Sequence, residues 1–136
     1  MYRTYIELIQ LKTFEERFNY LKLAGTPSVV TFGGHRSLNQ MLYQSPQWKE
    51  VRRKVIIRDN GCDLGIDDRP IQKGIIIHHL NPITIEDVVN NNPSVFDLNN
   101  LVCCQLQTHN AIHYGDGTNL VLSAPIERKP GDTKLW

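Results

Sequence analysis

The sequence has no long apolar run, almost no net charge and few cysteines. Nowhere in its 136 residues does an apolar stretch approach the roughly 18–20 residues that cross a bilayer, which argues against a membrane-spanning helix. The opening text, MYRTYIELIQLKTFEERF, carries charges throughout and lacks the unbroken apolar stretch of a secretion signal, so the expectation is a cytoplasmic protein with no membrane partner. Lys and Arg number 15 against 14 Asp and Glu, a formal net charge of +1. Any contact with nucleic acid must therefore rest on a local basic patch. The three cysteines are Cys62, Cys103 and Cys104. An odd count with two adjacent members is a poor disulfide framework and fits a reducing compartment. No Cys-x-x-Cys pair exists, which excludes a four-cysteine zinc knuckle. There is no internal repeat and no low-complexity tract. At 40% hydrophobic and 21% charged residues, the chain suits one domain with a modest core.

What is present reads as helices followed by strand, loop, strand and helix, an α+β order. From about Tyr5 to Leu23 the residues Ile6, Ile9, Phe14, Phe18 and Leu21 approximate a helical stripe. Thr13 with Glu16 is a capping-box pattern, so a break near Lys12–Thr13 is expected. Gly25, Pro27, Gly33 and Gly34 mark a loop. Ser45-Pro46 starts another helix, Ser as N-cap and Pro at the position whose N–H has no helical partner. Its stripe is Trp48, Val51 and Val55, and Asp59-Asn60-Gly61 ends it. Ile75-Ile76-Ile77 favours a strand through His78-His79-Leu80, stopped by Asn81-Pro82. Residues 84–97 read as a short helix and a loop. Leu101–Cys104 reads as a second strand, with one cysteine expected to be buried. Thr108–Tyr114 reads as a helix capped by Thr108 or a neighbour and stopped by Gly115. The tail from Ser123 is expected to run extended over the surface.

Histidine supplies the chemistry. His109 and His113 are four apart, which on a helix puts both imidazoles on one face, as two ligands of one cation require. His78 and His79 are adjacent on a strand, so they point to opposite faces. One can join the helix pair in a metal site while the other faces a substrate. Asn100, opening the second strand, is placed to hold the loop or to orient a neighbouring imidazole through its amide. A histidine that acts as a base needs one ring nitrogen held so that the other stays available. His35, alone in the glycine-rich loop, reads as an ordinary solvated side chain.

These residues resemble the HNH endonucleases, the ββα-metal or His-Me finger nucleases. The family pattern is an Asp/His-His pair closing one strand, Asn-Leu opening the next, and a His in the following helix. In this chain it reads His78-His79-Leu80-Asn81-Pro82, then Asn100-Leu101-Val102, then His109-Asn110-Ala111-Ile112-His113, with nine residues from Asn100 to His109. The stretch Tyr43-Gln44-Ser45-Pro46-Gln47-Trp48 with Val51-Arg52 and Ile57-Arg58-Asp59 looks like the segment preceding the motif in small phage-encoded members. The resemblance spans roughly Tyr43 to Tyr114. It implies a ββα-metal core in residues 43–122, an N-terminal helical extension over 1–42 packed on that core, and a tail over 123–136. It also implies His78 and His109 as metal ligands, His113 as a third, His79 as general base and Asn100 as the structural asparagine. Many members carry four zinc-binding cysteines; in this chain Cys62 is followed by Leu64 and Gly65, and Gln105 and Thr108 stand downstream, so no structural zinc is expected.

The implied activity is hydrolysis of DNA phosphodiesters to 5′-phosphate and 3′-hydroxyl ends, in the cytoplasm of a bacterial host. It would use one divalent cation. Imidazoles favour Zn, Ni, Co or Mn over Mg, so Mn, Ni and Zn are the ions to try before Mg. Between Trp48 and Arg58 five basic residues (Lys49, Arg52, Arg53, Lys54, Arg58) face one acidic residue, Glu50. Lys49, Arg52, Arg53, Arg58 and, before the strand, Lys73 are the candidate contacts to the phosphates of double-stranded DNA. The likeness to phage proteins adds the packaging terminase as a candidate partner. Two other readings use the same residues: an HNH-like protein that binds DNA or terminase without cutting, and a structural zinc domain held by His78, His109 and His113.

Overall fold

The computed structural model describes residues 2–23 and 36–115. The glycine-rich loop with His35 and the tail from Ser123 lie outside the described residues. The expected break in the first segment is present. Helix α1 (Tyr5–Leu8) is capped by Thr4, and α2 (Phe14–Leu21) by Thr13 in a full capping box with Glu16. Because the break restarts the helical register, Ile6 and Ile9 are exposed and Leu8 takes the core position expected of them. A helix outside the sequence expectations, α3 (Arg36–Gln44), leads into α4 (Pro46–Arg58). Ser45 Oγ caps α4 on the Trp48 amide, with Pro46 at the first helical position, as the Ser-Pro pair predicts.

Two strands follow, β1 (Ile76–His79) and β2 (Leu101–Cys104), paired antiparallel with Ile76 opposite Cys104 and His79 opposite Leu101. Between them α5 (Ile85–Val89) sits in a second capping box, Thr84 with Asp87, and two short 3-10 turns return the chain. The last described helix, α6 (Leu106–Tyr114), packs against β1 and ends where Gly115 adopts a left-handed φ of 69°. The described residues are thus mixed helix with one small antiparallel sheet, and none of their helices is long and apolar enough to cross a membrane.

Strand alternation splits the core. Ile76, Leu80, Val102 and Cys104 face α1, α2 and α6 and pack with Leu8, Phe14, Phe18, Leu21 and Ile112. Ile77, Leu101 and Cys103 face α4 and pack with Trp48 and Val55. A third group, Leu42, Ile83 and Val95, joins α3 to the inter-strand loop. Both Cys103 and Cys104 are fully buried, where one was expected, because both faces of the sheet are covered. The amino-terminal helices belong to this common core: removing the Phe18 ring would cost about 3–5 kcal/mol at such a site.

Candidate metal centre

The same alternation divides the histidine pair. His78 points to the α6 face. Its ring centroid lies 5.4 Å from that of His109 and 5.3 Å from that of His113. One turn of α6 brings His109 and His113 to 4.4 Å between centroids, with their Nε2 atoms 3.1 Å apart. A donor atom from each of the three rings falls within 4.8 Å of the others, so the trio can hold a metal ion. His78 is 2% exposed, and its Nε2 is buried with no hydrogen-bond partner. A buried polar atom without a partner is costly, and a cation shared with the other two rings would satisfy it.

Electrostatics favour the same use. Burial pushes the His78 pKa well down, helped by His109, His113, His79 and the Arg3 charge. Burial, then His113, lowers His109 to about 4. Burial also lowers His113. Neutral imidazoles at pH 7 present the lone pairs a metal needs.

His79 lies on the opposite face, 9% exposed. Its ring stacks on Trp48 (5.5 Å between centroids, 22° between planes), which in turn meets Tyr43 edge-on at 5.3 Å. His79 Nε2 is 2.9 Å from the Val95 carbonyl oxygen. A carbonyl only accepts, so Nε2 carries the proton and Nδ1 the lone pair. Burial lowers this histidine to about 4, partly opposed by the Val95 bond.

Asn100 corrects part of its expected role. It is 1% exposed and does not bond His79. Its Oδ1 accepts from the Asn81 backbone N–H (2.9 Å) and from Asn81 Nδ2 (2.8 Å), and its Nδ2 donates to the Ser94 carbonyl (3.0 Å). The amide therefore clamps the loop at Ser94, one residue before the carbonyl that orients His79. Sequence reasoning missed Val95 because any residue offers the same carbonyl. It also missed Asp63, 2% exposed, whose carboxylate accepts from the Gln105 N–H (3.2 Å) and the Thr108 hydroxyl (2.6 Å). Thr108 is thus inside α6 and does not cap it; Asp63, from far along the chain, secures the helix start. No sequence signal marks that pairing.

The basic helix is less open than its composition implies. Lys49 and Lys73 are exposed. Arg53 is exposed but paired to Glu50 at 2.6 Å. Arg52 is half-buried, with Nη2 donating to the Ile75 carbonyl (2.9 Å). Arg58, another candidate phosphate contact, is turned largely into the fold. Its guanidinium donates to both Asp59 oxygens and to the Leu98 and Leu101 carbonyls, and lies over the Tyr5 ring. Asp59 Oδ2 accepts in turn from the Cys103 N–H (2.9 Å). Arg58 is a tie between α4 and β2, with four of its five N–H donors bonded within the fold. No family model, curated protein or solved structure matches the chain.

Proposed function

We propose that the chain is a divalent-metal-dependent HNH endonuclease acting on double-stranded DNA, with β1, the inter-strand loop, β2 and α6 as its ββα-metal core. The observation that carries this reading is the division of labour on β1: three neutral imidazoles converge on one side, and a fourth, held by a carbonyl, occupies the other. His78, His109 and His113 would hold the ion. When bound, a divalent cation supplies Lewis-acid polarisation of a phosphoryl oxygen and offsets charge on the departing 3′ oxygen. The orphaned His78 Nε2 and the all-nitrogen donor set fit that role and favour Mn, Ni or Zn over Mg.

The remaining chemistry belongs to His79. Its Nδ1 accepts a proton from the attacking water, while the Val95 carbonyl keeps the tautomer and Trp48 keeps the ring plane. The low value of about 4 leaves the ring unprotonated at neutral pH. The negative charge of a bound phosphodiester favours the imidazolium as it forms. Asn100 acts at one remove, by fixing the loop that presents Val95. Lys49 and Lys73 supply sequence-independent phosphate contacts. A packaging terminase is the partner proposed by likeness to phage proteins.

The binding-only alternative has one observation of its own: His79 is almost buried, beneath Trp48 and the Val95 loop. Supercoiled plasmid incubated with EDTA, Mn²⁺, Ni²⁺, Zn²⁺ or Mg²⁺ separates the two. Nicking that needs a metal supports the nuclease. Intact plasmid under every ion, from a protein that binds both metal and DNA, supports the binding protein.

A further inference from the structure

We propose that Arg3 is a substrate contact: its guanidinium stands at the rim of the histidine cluster and binds a phosphate oxygen of the nucleic-acid strand, so the amino-terminal segment completes the site. The inference rests on the nuclease reading and assigns a residue outside the stretch of the family resemblance.

Three attachments place Arg3 there. Its backbone N–H donates to Asn81 Oδ1 (2.8 Å), and its carbonyl accepts from Asn81 Nδ2 (2.7 Å). Asn81 lies three residues beyond His78 and also bonds Asn100 Oδ1. On the other side, Arg3 Nε donates to the Tyr20 carbonyl (2.9 Å) and Nη2 to the Lys22 carbonyl (3.3 Å). The next residue, Leu23, donates its N–H to the Ile112 carbonyl (2.9 Å), beside His113. The Arg3 backbone is therefore tied to the end of β1 that carries His78, and its guanidinium to the segment whose Leu23 bonds the turn of α6 that carries His113.

Arg3 is also suited to the task. It is half-buried, as Arg52 is, and two of its five guanidinium N–H groups meet backbone carbonyls. No described acceptor takes the other three. A planar donor fork beside a cation centre matches the adjacent oxygens of a phosphodiester. Its two carbonyl bonds fix the fork in place, so little side-chain freedom is lost on binding.

The experiment uses the full chain and a fluorescein-labelled DNA duplex in EDTA, with anisotropy read across a salt series. Arg3→Gln is expected to lower the slope of log affinity against log salt by about one, as loss of one phosphate contact does. Arg3→Lys is expected to restore it. Cobalt absorption of the loaded variants should match wild type, since Arg3 is no ligand. An unchanged slope in Arg3→Gln overturns the inference, as does an Arg3→Lys variant indistinguishable from Arg3→Gln, because the loss would then reflect the tether rather than the charge. A wild-type chain with no affinity for duplex overturns it too. Plasmid nicking judges the nuclease reading separately. Metal-dependent nicking by wild type together with an unchanged Arg3→Gln slope leaves the nuclease standing without this contact.

Discussion

The two faces of β1 make an instructive pair. His78 and His79 share a backbone, a strand and a residue type, yet their surroundings differ in one respect. On the α6 side, His78 meets two other imidazoles and no acceptor for its Nε2. On the α4 side, His79 meets a carbonyl and an indole. The first environment leaves a nitrogen asking for a cation. The second assigns the proton to one nitrogen and leaves the lone pair on the other. Identical side chains acquire different chemistry because a strand delivers them to opposite layers.

Substitutions can break this contrast one side at a time. His79→Ala should lower cleavage by about 10²–10⁴-fold while metal stoichiometry, measured by cobalt titration, stays at the wild-type value. His109→Ala should act on the other side, weakening metal affinity by at least about a hundredfold and abolishing cleavage with it. If His79→Ala cuts as fast as wild type, the α4 face does not carry the base.

Acid should erode both faces together. All four histidines have folded-state values below the ordinary 6.5. The unfolded chain therefore takes up protons first. Stability is complete above about pH 6.5 and falls as pH drops toward about 4. His79 alone should contribute a loss on the order of 2 kcal/mol by about pH 5. Urea midpoints of the metal-free protein, compared at neutral and acid pH, measure it; a midpoint that rises on acidification contradicts the buried neutral state.

The basic helix offers a smaller contrast, between a spent cation and an available one. Arg58→Ala should lower unfolding free energy by about 3 kcal/mol, since it leaves the buried Asp59 carboxylate without its cation, with the salt slope of DNA binding unaltered. Lys49→Ala should do the reverse, changing stability by less than about 0.5 kcal/mol and the slope by about one.

Local rules were enough wherever the cause was local. The Thr13–Glu16 box, the Ser45-Pro46 start, the run of isoleucines and Gly115 each act within a turn of chain, and each element appears where its signal stands. The i, i+4 spacing of His109 and His113 is of the same kind. What escaped the sequence acts across it. Asp63 secures α6 from 45 residues away, Arg58 reaches Leu98 from 40, and Val95 orients His79 through a backbone atom with no signature. Helix α3 is a different case: Leu38, Met41 and Leu42 stand at helical spacing after Gly33-Gly34, a local signal that the sequence expectations did not use.

The sequence by itself determined that two histidines share a helix face and that two others must part, because helical and strand periodicity are properties of the backbone. Only the tertiary structure decided which of the parted pair meets α6, which arginines remain open to solvent, and what holds the fourth ring. Those outcomes depend on which layers cover the sheet and which carbonyls come within hydrogen-bond reach, and no spacing along the chain encodes them.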